Sequence, residues 1–358
     1  MQAALRIVST SLMNEREFAA LVDRRVWLSN TLAKLPLSCS VLMYGSAISG
    51  TAYSNADVDF ALGFPSDEAD SRVGAFRVLP RENHINVLNQ VYTELCKVDG
   101  IRLQRIFTAR VPILQFIPDL AQAQGENSRA NPDILLRSSK RLQVKAESKA
   151  PHTQHFDISA SLDGCRNSLL VREYMEKYPR LRALTLVLKL WARRQKFLNA
   201  RRGWISPYAL TIMVVHFGIA KGISEAIDAD SINAKLHIPA THLPFEQLVH
   251  TDVESSLQSD LQEFFRYYSL DFDFDAQVVD IRHKDALTRK SEWLELPEVA
   301  SLSEKERWHL LGYEVLLIRD PYEGHSLGRS VDFFRGESLR EAFRLAAQHG
   351  IDWNEICG

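Results

Sequence analysis

The sequence predicts an α+β fold, with strands gathered before Gly164 and helices after it. Three observations predict this. A short apolar strand, Val41-Leu42-Met43, runs into a glycine–serine turn, Tyr44-Gly45-Ser46-Ala47-Ile48-Ser49-Gly50. A second strand, Asp57-Val58-Asp59-Phe60-Ala61-Leu62, alternates acidic and apolar residues before becoming wholly apolar. From Cys165 onward the apolar residues recur at helical spacing.

Bulk properties set the frame. The chain has 358 residues, 46% of them hydrophobic, which is enough for two cores. A net charge of −2 means that any contact with a polyanion is local rather than spread over the surface. The four cysteines, Cys39, Cys96, Cys165 and Cys357, lie far apart with no Cys-x-x-Cys pair, which speaks against a zinc module and for a reducing compartment. No apolar run approaches the length of a membrane-spanning helix.

Residues 1–14 contain Arg6, several hydroxyl side chains and no acid, so two readings stay open: a short organelle transit peptide or the start of a helix. Asn14 followed three residues later by Glu17 forms a capping box for a helix over 15–35. Phe18, Leu21, Val22, Val26 and Leu28 fall on one side of it. In the turn after the first strand, Gly45 permits a tight bend and close approach to a ligand. Ser46 offers a hydroxyl and an N–H to a phosphate. In the next strand, residues two apart point the same way, so Asp57 and Asp59 share a face while Val58 and Phe60 enter the core. Two carboxylates held this close repel each other unless a cation sits between them, and Mg²⁺ takes such carboxylates together with triphosphate oxygens.

A loop over 64–83 follows, then an amphipathic helix over 84–98 with Ile85, Leu88, Val91, Tyr92 and Leu95 inward. Residues 102–116 read as one strand, on which Arg110 either faces the active site or is a surface charge. Residues 118–154 are polar and, in their second half, basic, with Arg137, Lys140, Arg141, Lys145 and Lys149. They read as a small element that bridges two domains or touches nucleic acid, or else as a solvated face. A strand, Phe156-Asp157-Ile158-Ser159, comes next. Helices follow from Asn167, over 179–197, and from Pro207 with Ser206 as N-cap. Lys189 and Arg193 lie four apart and share a helix face. Phe264, Phe265, Tyr267 and Tyr268 form an aromatic cluster, and Asp271, Asp273 and Asp275 a solvated turn rather than a calcium loop, for want of the glycine and closing glutamate. An amphipathic helix closes the chain near Gly350.

The order strand, Gly-Ser loop, Asp-x-Asp strand resembles the DNA polymerase beta superfamily of nucleotidyltransferases, and within it the noncanonical poly(A) polymerase and terminal uridylyltransferase branch. The resemblance implies a mixed-sheet palm domain over 36–164, with an inserted element at about 118–154. It also implies a helical central, PAP-associated domain made of 1–35 and 165–358, with the active-site cleft between the two. It implies Asp157 as a third carboxylate, with Asp57, Asp59 and Asp157 binding Mg²⁺ or Mn²⁺. It further implies UTP contacts from Gly45, Ser46, Asn167, Ser168, Lys189, Arg193, Ser206 and Tyr208, the last stacking on the base. The 118–154 insert is similar in placement to one in trypanosomatid uridylyltransferases.

The segment Asp320-Pro321-Tyr322-Glu323, with His325 ahead of Gly328-Arg329, resembles the uracil-reading element of the uridylyl-specific members. Uracil presents an N3–H donor, which Asp320 and Glu323 accept when ionised. Cytosine carries an acceptor there and is rejected, while the bulk of His325 disfavours a purine. The expectation is a terminal uridylyltransferase acting on RNA 3′ ends, within a protein complex for RNA processing and without a membrane. A mitochondrial location is favoured, a cytoplasmic one being the alternative. Two other readings are a poly(A) polymerase on the same scaffold and a non-catalytic RNA-binding scaffold.

Overall fold

In a computed structural model the described residues are 2–70, 74–98, 101–117, 155–236, 251–284, 288–312 and 315–353. The insert at 118–154, with its basic residues, and Cys357 lie outside them. The first half contributes helices α1 (Gln2–Ser11), α2 (Glu15–Leu32), α3 (Ser46–Ser49) and α4 (Arg81–Leu95). Its strands are β1 (Ser40–Tyr44), β2 (Val58–Gly63), β3 (Pro65–Asp70), β4 (Gly74–Phe76), β5 (Leu103–Ile106), β6 (Ile113–Phe116) and β7 (Phe156–Ser159). The second half is helical: α5 (Asp163–Lys177), α6 (Pro179–Arg194), α7 (Pro207–Ala220), α8 (Thr251–Arg266), α9 (Lys290–Leu294), α10 (Pro297–Ala300), α11 (Glu304–Leu311) and α12 (Phe333–His349).

Five strands form one mixed sheet in the order β1-β2-β7-β6-β5. Only β2 and β7 run parallel, pairing Asp59 with Asp157; their neighbours are antiparallel. Val58, Phe60, Phe116, Phe156 and Ile158 fill the core beneath the sheet. Phe156 meets Phe60 edge-on with centroids 5.7 Å apart and stacks on Phe116 at 4.8 Å. Each buried phenylalanine contributes roughly 1.5–3 kcal/mol through burial, so the strand that carries Asp157 is anchored next to its charge.

The helical half has its own core around α7. Residues Ala209 to Ile219 of that helix are all buried, which fits a segment apolar on every side. Trp191 of α6, Phe264 and Phe265 of α8, Tyr268, and Phe343 of α12 pack around it as one aromatic cluster. Ser206 caps α7 as expected, its Oγ accepting the Ala209 N–H at 3.0 Å. Asn14 and Glu17 form the expected capping box of α2. The closing helix α12 ends at Gly350, with φ of 73°.

Several expectations are corrected. Residues 102–116 are not one strand but a hairpin, β5 and β6, because Pro112 cannot donate to a ladder. Residues 64–83 are not all loop: β3 and β4 form a small antiparallel pair. The helix expected from Asn167 begins at Asp163, one turn earlier. The helix expected over 84–98 is α4, which starts at Arg81 and buries Val87 where Ile85 was expected. Val26 is 43% exposed rather than inward. The N-terminal stretch is also divided differently. Phe18, Leu21, Leu28 and Leu32 of α2 belong to the sheet's core, while Val8 of α1 belongs to the helical core. The apolar stripe of α2 covers the sheet, so a domain boundary at residue 35 separates elements that pack together.

Candidate active site

The glycine–serine loop is shaped by a single unusual residue. Gly45 has φ of 92° and ψ of −161°, a region essentially confined to glycine. A Cβ there would lie 2.7 Å from Asp59 Oδ2, so the carboxylate rests on the space that glycine leaves. The Gly45 N–H donates to Ser168 Oγ at 2.7 Å, and the Ser168 hydroxyl donates to the Gly164 carbonyl at 2.7 Å. Ser46 opens α3 directly after.

Helix α6 supports this loop from behind. Lys189 Nζ donates to the Thr51 carbonyl at 2.7 Å and lies 3.2 Å from Thr51 Oγ1. Arg182 Nε donates to the Gly50 carbonyl at 2.9 Å, and Tyr53 OH to the Leu186 carbonyl at 2.6 Å. Arg193 stands over the Tyr53 ring at 5.4 Å. Lys189 is buried, and burial, helped by Arg193, lowers its pKa to about 7. Lys189 and Arg193 thus share a side, as their spacing implied, and both engage the 51–53 segment that follows the loop.

The three aspartates meet at one end of the sheet. Asp57 lies immediately before β2, Asp59 is its second residue, and Asp157 sits opposite Asp59 on β7. Paired residues of parallel strands point to one face, so Asp157 is on the same side as Asp59. Burial and then the charges of Asp157 and Asp57 push the Asp59 carboxyl up to about 7. Burial also raises Asp57 and Asp157; Gln115 Nε2, donating to Asp157 Oδ1 at 3.2 Å, and the charge of Arg201 act against it there. Among the described residues none of the three forms an ion pair with lysine or arginine. Partly buried carboxylates that pair with no lysine or arginine among the described residues suit a hard divalent ion by charge and donor type, but the three do not bring their oxygens within 4.8 Å of one another as Asp320, Glu323 and His325 do.

A second cluster lies across the cleft. Asp320, Glu323 and His325 bring ligand-type atoms within 4.8 Å of one another. One member of this group, Glu323, is already paired with a protein cation. Arg110, from the β5–β6 turn, reaches Glu323 at 2.7 Å to Oε1 and 2.5 Å to Oε2. His325 Nδ1 lies 3.2 Å from Glu323 Oε2. Burial alone would raise Glu323, but the hydrogen bond from His325 and the Arg110 charge outweigh it and hold the carboxyl at about 2. Asp320 Oδ1 accepts the N–H groups of Tyr322 and Glu323 at 2.9 and 3.1 Å, closing the turn. Its Oδ2 accepts from Asn167 Nδ2 at 3.2 Å. The Tyr208 hydroxyl is buried without a hydrogen-bond partner, and the charges of Asp320 and Glu323 raise its pKa further.

The clusters are joined by consecutive residues of α5. Asn167 contacts Asp320, and Ser168 contacts Gly45. One rigid helix therefore sets the spacing between the carboxylates and the polar pocket. Ser206 Oγ accepts the Ala209 N–H as the cap of α7. Gln115, Arg201, Thr51 and Arg182 also belong to the site, although sequence reasoning assigned none of them. The alternation of β6, with Leu114 and Phe116 buried and Gln115 between them, was the readable signal for Gln115. Arg110, read either as facing the active site or as a surface charge, reaches Glu323. Arg81 orders that turn, donating to the carbonyls of Phe107 and Ala109 at 2.7 Å each.

Residues 3–125 match the family described as poly(A) RNA polymerase, mitochondrial-like, central palm domain. Residues 256–326 match the Cid1 family poly A polymerase. The chain resembles terminal uridylyltransferases and noncanonical poly(A) polymerases, matching these two family models in order. Terminal uridylyltransferase 4 of Trypanosoma brucei brucei is 30% identical over 197 residues, 53% of this chain and 57% of that protein. Poly(A) RNA polymerase GLD2-A of Xenopus laevis is 23% identical over 317 residues, 83% of this chain and 50% of that protein. The chain thus spans about half the length of these relatives. The solved structure of terminal uridylyl transferase 4 from Trypanosoma brucei with bound dUTP superposes with a TM-score of 0.72 at 21% identity, covering 97% of this chain and 96% of that one. RNA editing TUTase 1 from Trypanosoma brucei gives 0.70 at 19% identity, with 99% and 88% covered.

Proposed function

We propose that the chain is a terminal uridylyltransferase that moves UMP from UTP to the 3′-hydroxyl of RNA. The carrying observation is the pair of clusters fixed by α5, one able to hold a metal–triphosphate and the other to read a base. The 3′-hydroxyl gives up its proton, with the Asp157 carboxylate as the acceptor, its oxygen attacks the α-phosphorus, the bond from that phosphorus to the β-phosphate oxygen breaks, and pyrophosphate leaves. Divalent metal, held by Asp57, Asp59 and Asp157, would supply positive charge for the oxygens that gain negative charge. The chain's own contribution is position. Ser46 offers its backbone N–H and hydroxyl to phosphate, while Ser168, which accepts the Gly45 N–H, and Lys189 brace the loop that carries it. Tyr208 offers a face for the base, worth about 1–3 kcal/mol irrespective of base identity.

Base choice rests on Glu323 and His325. With its carboxyl held at about 2, Glu323 is an acceptor at every working pH, matched to the uracil N3–H and mismatched to cytosine. His325, buried and braced by Glu323, takes the room that a purine needs. The relatives also favour a second reading, ATP as donor, since the GLD2 poly(A) polymerases align over 83–87% of the chain. Purified protein with a short labelled RNA, Mg²⁺ and each of the four NTPs in turn separates the two. Extension chiefly with UTP supports the first reading, extension chiefly with ATP the second, and no extension with any NTP refutes both.

A further inference from the structure

We propose that Phe333 and Phe334, with Arg201, Arg202 and Arg335, form a stacking platform for single-stranded RNA upstream of its 3′ end. This rests on the transferase reading above and extends it to the primer. Phe333 is 59% exposed and Phe334 80%, with ring centroids 5.8 Å apart and planes at 81°. They are the first two residues of α12, whose attachment to the core is made by Leu339, Phe343 and Ala346 further along. The two rings therefore add little to holding the helix, and their exposure leaves large apolar surface in water.

Their surroundings select the partner. Arg335, the next residue, pairs with Asp332 and lies over the Trp204 ring at 5.7 Å. Gly203 packs against the same guanidinium, a Cβ there meeting Arg335 Nη1 at 3.1 Å. Ser330 donates to the Trp204 carbonyl at 3.0 Å, tying the start of α12 to the 200–204 turn. That turn carries Arg201 and Arg202, and the Arg201 charge reaches Asp157. The start of α12 and the 200–204 turn are thus held together at Trp204, which sets the exposed rings and Arg335 beside a turn whose Arg201 is felt electrostatically at Asp157. Near a group of aspartates, a polyanion needs local cations to approach at all. Exposed aromatics interleaved with arginines are the arrangement that binds single strands by base stacking and phosphate attraction, tolerant of sequence.

The test measures binding of 5′-labelled fifteen-nucleotide oligouridylate to the full chain by fluorescence anisotropy at several salt concentrations. Phe333→Ser/Phe334→Ser should weaken binding roughly tenfold or more while leaving the salt slope unchanged, because stacking and not charge is lost. Arg201→Gln/Arg202→Gln should flatten the salt slope. Phe334→Trp should retain affinity where Phe334→Ser loses it, which separates stacking from a folding defect. Affinity of the double serine variant within twofold of wild type overturns the platform. So does loss of self-association in sedimentation by that variant with RNA binding intact, which would make the surface a protein contact. UTP transfer to a dinucleotide is measured in parallel. Its absence, with the RNA effects present, sinks the transferase reading and leaves the platform standing.

Discussion

Replacing Gly45 by alanine tests the geometry of the loop and the carboxylates together. The backbone at this position lies at φ 92°, ψ −161°, where a non-glycine residue costs about 1–3 kcal/mol. Domains of ordinary stability, roughly 5–15 kcal/mol, survive such a loss at room temperature. The added methyl also has nowhere to go. It would stand 2.7 Å from Asp59 Oδ2, and an ordinary contact requires the carboxylate to retreat by several tenths of an ångström or more. Asp59 has little room to retreat, since it is boxed in by burial and by two like charges. Displacing a metal-binding carboxylate by up to an ångström lowers turnover by about 100-fold. The expected result for Gly45→Ala is a folded protein with a modestly lower melting temperature and about a hundredfold slower single-turnover primer extension. Turnover within threefold of wild type, in a protein shown to be folded, would refute the argument that Asp59 works from the space glycine leaves.

Other outcomes follow from the same geometry. Asp57→Ala should abolish transfer at all Mg²⁺ concentrations while preserving the circular dichroism spectrum; residual turnover above about one per cent would remove Asp57 from the metal set. His325→Asn should raise ATP use relative to UTP in competition assays, and an unchanged ratio would end the steric account of base choice. Glu323→Gln carries a pH signature. The carboxyl is held at about 2, below its ordinary 4.5, so its stabilisation is fully present above pH 4.5 and is lost as pH falls toward 2. The variant should be less stable than wild type by about 1–3 kcal/mol at pH 7 in urea unfolding, and the difference should shrink through that acidic window. A difference that is independent of pH would mean that Arg110 and His325 contribute no net charge pairing.

What the chain discloses in one dimension is what depends on local rules. The Asn14–Glu17 box and the Ser206 cap follow from capping chemistry and from the residue types alone. Asp157 needed more. Its position beside Asp59 depends on a parallel pairing between strands almost 100 residues apart, which only the resemblance supplied. The Arg110–Glu323 contact was illegible because it joins a turn of the sheet unit to a turn of the helical unit, with 213 residues between them. Reading 102–116 as one strand hid it further, since Arg110 then had no turn from which to reach. Lys189 shows the opposite case. Its helix and its face were readable, yet its charge is directed at a backbone carbonyl, because Thr51 is the first acceptor that the folded chain presents to it. Sequence pattern therefore fixes which side chains share a face, while which of them reach a ligand depends on the partners that distant segments bring within hydrogen-bonding range.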